Sequence, residues 1–315
     1  MLSETETGIE GGDRGASMRI VVAVDFSQAS MRALDWAESL AEGRRATVVA
    51  VHAIEPTPLA HVAEAAESLV ARGEERVAKA CASIARKGVA FEARCAVGRP
   101  WSVVREVVEE GGADLVVAGN RGISPVKRAI LGSNADRMLR TVAAPALVVR
   151  ASDAPRGHLR ALVATDFSPD AAETVAAFRR IFVRSLVRLE VRVLHASLPP
   201  ELVESVDVPL VERVDWQSVE ARARELADGV AREFRADGID TSVAVLRGGA
   251  ARTILAEARG WRADLVVLGR RGMSGFERLI MGSTAERVLH AAGCAVFTAQ
   301  QAAVPAKRAA PAYIS

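Results

Sequence analysis

Short apolar runs alternate with longer stretches of helical periodicity along this chain, and the alternation occurs twice. Residues 20–24, 48–51, 115–118 and 146–149 are apolar and rich in β-branched side chains. They lie between turn residues, as strands buried on both faces of a parallel sheet do. Between them Ala33, Leu34, Ala37, Leu40 and Ala41 recur at helical spacing, and Val103, Val104, Val107 and Val108 do so on a later segment. A third strand near 89–97 has a counterpart near 240–246. The pattern predicts an α/β fold with an open, doubly wound sheet covered by helices on both faces.

The second round repeats the first. Residues 113–139 begin ADLVVAGNRGIS, and residues 263–289 begin ADLVVLGRRGMS. At a constant offset of 150 the two stretches share 16 identities over 27 positions. Earlier, RIVVAVDFS at 19–27 answers RALVATDFS at 160–168 with an offset of 141. The change of offset puts a net insertion of nine residues in the second half, much of it between His195 and Trp216. Two copies are too few for a solenoid, so the chain reads as a tandem duplication. The expected organisation is a flexible leader at 1–17, a domain at 18–150, a linker at 151–158 (SDAPRGH), a second domain at 159–300 and a mobile tail at 301–315.

Composition narrows the function classes. With 315 residues there is room for two domains of about 150, each able to bury a core without staples. Basic and acidic residues number 41 and 39, a balance that argues against a dedicated nucleic-acid binder. Cys81, Cys95 and Cys294 form neither a disulfide framework nor a metal knuckle, and read as small buried side chains in a reducing compartment. The leader carries Glu4, Glu6, Glu10 and Asp13 and no apolar core of a signal peptide. No uncharged apolar run is long enough to span a membrane. A cytoplasmic protein is expected.

The richest constellation follows the fourth strand of each half. It reads Gly119, two residues, Gly122, nine residues, Gly132-Ser133, and again Gly269, two residues, Gly272, nine residues, Gly282-Ser283. Glycines after a strand let the backbone turn with positive φ and bring bare N–H groups to an anion. Gly132-Ser133 and Gly282-Ser283 open amphipathic helices whose N-terminal amides and dipole favour phosphate. The alternative is that the glycines only make turns and the serines only cap helices.

These segments resemble the universal stress protein family, specifically its tandem members, over roughly residues 18–150 and 159–300. The G-x2-G-x9-G-[S/T] pattern is that family's ATP-binding motif. The resemblance implies two five-stranded parallel sheets of order 3-2-1-4-5 and one ATP, with Mg²⁺, at the ends of strands one and four of each half. Carried over residue by residue, the first site comprises Ala23, Asp25, Val51, Gly119, Asn120, Arg121, Gly122, Gly132, Ser133 and Asn134. The second comprises Ala164, Asp166, Leu194, Gly269, Arg270, Arg271, Gly272, Gly282, Ser283 and Thr284. Ala23 and Ala164 let the nucleotide approach the strand. Asp25 and Asp166 lie beside the adenosine moiety or help place the phosphates, and both also suit a helix start before Ser27 and Ser168. The main chain at Val51 and Leu194 reads the adenine edge. Arg121 and Arg271 can pair with phosphate, or be solvated loop arginines. The following His52 and His195 read as local hydrogen-bonding residues.

The halves also differ. Pro125 stands where the second half has Gly275, and Asn120 stands opposite Arg270, which makes the second site the more basic. The last strand of the second half, AVFTA at 295–299, lacks the proline and paired valines of 145–149. That strand commonly supports pairing between domains of the family, so its change bears on the expected homodimer and on pseudo-twofold packing within the chain. Walker, dinucleotide and paired-histidine metal motifs are absent, and no nucleophile–His–acid set repeats. The expected role is a nucleotide-responsive stress or growth regulator with no catalytic residues and no dedicated metal ligands. The alternatives are a slow ATPase timer in which Asp25 and Asp166 position Mg²⁺ or water, and an interaction scaffold with one functional site.

Overall fold

The computed structural model describes residues 17–56, 63–85, 89–122, 131–155, 157–183, 185, 188–197, 215–271 and 281–299. The leader, the tail, most of the insertion between His195 and Trp216, Pro125, Gly272 and Gly275 lie outside them.

In the first half β1 (Met18–Ala23) leads to α1 (Gln28–Ala41), β2 (Ala46–Ile54), α2 (Ala63–Ile84) and β3 (Ala90–Val97). Then come α3 (Pro100–Gly111), β4 (Leu115–Gly119), α4 (Ser133–Thr141) and β5 (Ala146–Val149). The second half repeats this as β6 (His158–Ala164), α5 (Pro169–Phe178), β7 (Arg188–Ser197), α6 (Trp216–Ala236), β8 (Asp240–Arg247), α7 (Ala250–Gly260), β9 (Leu265–Gly269), α8 (Ser283–Ala291) and β10 (Ala295–Ala299). A π-helical turn, Arg179–Val183, prolongs α5 and has no signal in the sequence.

Each half is a parallel sheet of order 3-2-1-4-5. The two join into one ten-stranded sheet, β3-β2-β1-β4-β5-β10-β9-β6-β7-β8, through the antiparallel pair β5–β10. In that pair Leu147 faces Phe297, Val148 faces Val296, and Ala146 faces Thr298. Leu147 and Phe297 are equivalent residues at offset 150, so a local twofold axis passes between them. The altered final strand of the second half therefore still forms the pseudo-twofold seam.

Side chains alternate across the sheet with the period of two that strands impose. Ile20, Val22, Leu147 and Phe297 face a layer made by α1, α2, α5 and α6, and that core runs without interruption through both halves. Its centre is aromatic: Phe178 lies 4.7 Å from Phe182 and 5.8 Å from Phe297, and Trp36 lies 6.5 Å from Phe182. Val21, Val49 and Val116 face α3 and α4 of the first half. Val148, Leu162 and Val296 face a second cluster that includes α7, α8 and the inner side of α4.

The connection between halves is fastened to the first. The Arg150 N–H donates to the Asp153 carboxylate at 2.9 Å, Trp36 Nε1 donates to the Asp153 carbonyl at 3.1 Å, and Arg32 Nε donates to the Ala151 carbonyl at 3.4 Å. No helix among the described residues is long and apolar enough to cross a membrane.

Because one core crosses both halves, Phe297→Ala should destabilise the whole chain by about 3–5 kcal/mol. Urea unfolding followed by tryptophan fluorescence and by far-UV circular dichroism should keep coincident transitions; separated transitions would show independent halves. The thiols follow from burial as well. Burial pushes Cys81 up to about 11 and Cys294 up to about 12. At pH 8 the ionised fraction of each is about 10⁻³ or less, so both should resist Ellman's reagent until the protein is unfolded in guanidinium.

Candidate functional site

The turn from β1 into α1 is built on a strained residue. Phe26 has φ 64, and its equivalent Phe167 has φ 63. A bulky side chain in the left-handed region costs on the order of 1–3 kcal/mol, and neighbouring groups hold it there. Asp25 Oδ1 accepts from the Ser27 N–H at 3.0 Å, and Ser27 Oγ caps α1 by accepting from the Ser30 N–H at 3.2 Å. His52 Nδ1 donates to the Val24 carbonyl at 2.8 Å while its ring packs 4.8 Å from Phe26. The Arg76 guanidinium lies 3.7 Å from the centroid of the Phe26 ring. In the second half Asp166 Oδ1 accepts from Ser168 N–H at 3.0 Å. His195 Nδ1 donates to the Thr165 carbonyl at 2.9 Å and stacks on Phe167 at 4.6 Å. Each histidine is thus a latch on the turn that presents the aspartate.

The glycines work differently from the sequence expectation. None of Gly119, Gly122, Gly132, Gly269 and Gly282 has a positive φ; that conformation belongs to the phenylalanines. The glycines are needed for close approach. A Cβ on Gly119 would meet Ala29 Cβ at 2.8 Å and Ser30 N at 2.9 Å, where α1 enters against β4. A Cβ on Gly122 would meet Asp25 Oδ2 at 2.5 Å. Gly269 repeats the helix contact with Asp170 and Ala171 at 3.3 Å.

Gly132 and Gly282 are themselves the N-caps of α4 and α8, with φ −65 and −64, so the cap residue of neither helix has a side chain to seat on the first amides. Ser133 and Ser283 are the first helical residues rather than caps, which removes the purely capping alternative. Among the described residues no side chain is seated on the N-terminal amides of either helix, the arrangement that receives anions. Gly132 N–H donates to the Asn120 carbonyl and Gly282 N–H to the Arg270 carbonyl, each at 2.8 Å, which ties each helix start to the strand before it.

In the first half Ala23, Asp25, Val51, Gly119, Arg121, Gly122, Gly132, Ser133 and Asn134 line one cavity of about 770 Å³. Asn120 is buried behind it and joins β5 through its main chain, donating to Val149 at 2.7 Å. The Val51 carbonyl accepts from Val24 N–H at 2.8 Å, which closes the strand ends over the cavity floor. Sequence reasoning missed Pro100 and Trp101, at the start of α3, and Glu286 and His290, which reach the cavity from α8 of the other half. Only the local twofold places those last two there, and no local pattern signals it.

In the second half Ala164, Asp166, Leu194, Gly269, Arg270, Arg271, Gly282, Ser283 and Thr284 line a cavity of about 150 Å³. Two arginines expected at this site, Arg270 as added positive charge and Arg271 as a phosphate partner, are otherwise engaged. Arg271 Nε donates to Asp170 Oδ2 at 3.0 Å, an ion pair whose acid has Ala29 as its counterpart in the first half. Arg270 is 3% exposed, and its guanidinium points into the other half. It donates to the carbonyls of Leu139 and Val142 at 2.9 Å and of Ala144 at 2.6 Å. Burial, then the neighbouring Arg271 charge, pulls Arg270 down to about 10 against the opposing pull of Asp170, so it stays cationic at neutral pH. The expectation that Arg270 enriches the second site in positive charge is therefore corrected: its charge serves the seam.

Among the described residues no group of three or more His, Cys, Asp or Glu side chains could hold a metal ion.

The model of the universal stress protein family matches this chain twice, at residues 17–150 and 158–299. A universal stress protein from Mycolicibacterium smegmatis is 29% identical over 285 residues, covering 87% of this chain and 94% of its own length. The universal stress protein Rv2005c of Mycobacterium tuberculosis is 27% identical over 300 residues, covering 90% and 97%. Among solved structures, a universal stress protein from Archaeoglobus fulgidus has the same fold, with a TM-score of 0.67 at 21% identity, covering 90% of this chain and 98% of its own. With two matches that leave out little beyond the ends and the connection, the chain belongs to the universal stress protein family as a tandem of two such domains.

Proposed function

We propose that the cleft of the first half binds an adenine nucleotide, ATP with Mg²⁺, and that the chain is a cytoplasmic, nucleotide-responsive regulator of stress or growth. The observation that carries this reading is the convergence on one 770 Å³ cavity of an uncapped helix start, an aspartate and an arginine. The volume suits a mononucleotide. Amides of Ser133, Asn134 and Ala135 would take phosphate oxygens at the positive pole of α4, and Arg121 would add its charge. The β1 turn brings the Asp25 carboxylate to that helix start, whereas Asp136, in the first turn of α4, is paired with Arg140. Mg²⁺ usually takes one or two carboxylates plus substrate phosphates, so a single aspartate fits it. When bound, the ion would neutralise phosphate charge. Ala23 would leave room against the strand, and Trp101 would offer an apolar wall to the base.

The second half supports a narrower role. Its cavity is about a fifth as large, and Asp170 occupies the Arg271 side chain. We read the chain as having one principal nucleotide site, with the second half as its support. A homodimer, if formed, uses a surface other than the β5 edge, since β5 and β10 satisfy each other within the chain.

Native mass spectrometry of the purified chain with Mg-ATP should show one nucleotide retained per chain. Gly122→Val should abolish it, because the new side chain displaces the Asp25 carboxylate. A wild-type protein that retains no adenine nucleotide would sink the reading. Asp170→Ala, which copies the first half's Ala29, frees Arg271 and should raise the stoichiometry toward two. An unchanged mass distribution would show that the Asp170 pair is not what restricts the second cleft.

A further inference from the structure

Helix α4 has two ends with different owners. Its N-terminus, Gly132 to Ala135, opens on the first cleft. At its other end the carbonyls of Leu139, in the last turn, and of Val142 and Ala144, just past it, are taken by Arg270, which belongs to the glycine segment of the second half. We infer that Arg270 is a positioning residue for the first half's phosphate cradle: by gripping the end of α4 it fixes where the amides at the start of α4 point. The inference rests on the nucleotide reading above.

The physical argument has three parts. First, α4 has nine residues and is about 13 Å long, and so short a helix moves as a rod. Anchoring one end in a well-packed seam sets the position of the other. Second, the last carbonyls of a helix have no partner within it. A planar guanidinium reaches one such group, Leu139, together with the C-cap carbonyl of Val142 and the carbonyl of Ala144 beyond it, in a fixed geometry that an ammonium lacks. The cation also neutralises the negative pole of the helix and leaves the positive pole open at the cleft. Third, Arg270 is itself rigidly mounted. Its N–H donates to the Ala299 carbonyl at 3.1 Å, and its carbonyl accepts from Gly282 N–H at 2.8 Å. The strut therefore runs from β10 and the start of α8, through one buried residue, to the end of α4.

The seam is not built the same way on its other side. The equivalent of Arg270 is Asn120, whose side chain is too short to span it. The equivalent of the Ala144 carbonyl is that of Cys294, which accepts a single bond from Arg150 Nε at 3.4 Å, and Arg150 comes from the end of β5 rather than from a glycine segment. Among the described residues Arg270 makes three bonds to the end of α4 and the segment after it, and Arg150 makes one to the segment after α8. The better-braced helix is the one that borders the larger cavity.

A role limited to joining the halves would weaken all ligands of the first cleft alike, or none. A role in aiming the α4 amides weakens phosphate-bearing ligands alone. The test uses the full chain, with ATP and adenosine as probes, and reads hydrogen exchange by mass spectrometry on peptides covering 131–138. In Arg270→Gln the ATP concentration that protects this peptide should rise about tenfold, while the adenosine concentration that protects peptides around 51–54 stays the same. Arg270→Lys, which keeps the charge but reaches fewer carbonyls, should lie between, and it carries the test if the glutamine variant does not fold. Equal ATP dependence in the wild type and in the folded variants overturns the inference alone, as does an equal loss of ATP and adenosine binding. A wild type in which ATP protects neither peptide overturns the nucleotide reading, and the inference with it.

Discussion

The pairing of β5 with β10 is the constraint from which the rest of the molecule's arrangement follows. Either strand alone would leave an apolar edge of four or five residues with unpaired backbone groups, a liability for any sheet. Duplication supplies each edge with a partner of its own kind, and because the partners are equivalent they meet antiparallel about a twofold axis between Leu147 and Phe297. Five strands and five strands become ten, and one face of the sheet gains a core common to both halves. The same axis brings α4 against α8, where Arg140 pairs with Asp136 of its own helix and with Glu286 of the other at 3.2 Å. That pair is partly exposed and contributes roughly 0–1 kcal/mol. What holds the seam is apolar contact and the buried guanidinium of Arg270.

Much of the fold was legible because parallel strands buried on both faces leave continuous apolar runs, and the expected strands at 115–118 and 146–149 are β4 and β5 within one residue. The period-2 alternation that would distinguish the two faces was not legible, because both are covered. β1 begins earlier than its apolar run and stops at Ala23, so Val24 enters the turn instead of the strand. That shift comes from the left-handed Phe26, which no propensity would place there, since phenylalanine is a poor choice for positive φ. The tilted packing of the His52 ring and the Arg76 cation over the Phe26 ring help hold the conformation, and those partners come from β2 and α2. Local sequence cannot report a compensation supplied from elsewhere in the chain.

The glycine segments show the same limit from the other side. Their spacing marked the right places, but spacing cannot say whether a glycine is wanted for its torsion or for its missing side chain. Here the missing side chain is what counts: Gly119 admits the α1 backbone and Gly122 admits the Asp25 carboxylate. Arg270 and Arg271 carried a further ambiguity. Adjacent arginines in an anion-binding motif read as ligands for phosphate, and the duplication made that reading natural. Their actual partners are Asp170, which replaces an alanine of the first half, and three carbonyls at and just past the end of α4. Neither partner lies in the motif, so no inspection of the motif alone could have found them.

Duplication therefore has a physical consequence beyond doubling a site. While two copies of one domain pair as separate chains, each must keep every residue of its own site, because any substitution appears on both sides of the axis. Joined in one chain, the copies can diverge, and a residue of one can be spent on the other. Arg270 is such a residue: an arginine at position 120 as well would bury a second charge at the seam, at a desolvation cost of several kcal/mol. The Asn120–Arg270 difference is affordable only in an asymmetric pair. The Asp170–Arg271 pair fits the same logic, since a half that braces its neighbour has less need of a wide cleft of its own. On the nucleotide reading proposed above, cavities of about 770 and 150 Å³ fit a division of labour between the two copies, which the peptide bond that joins them permits.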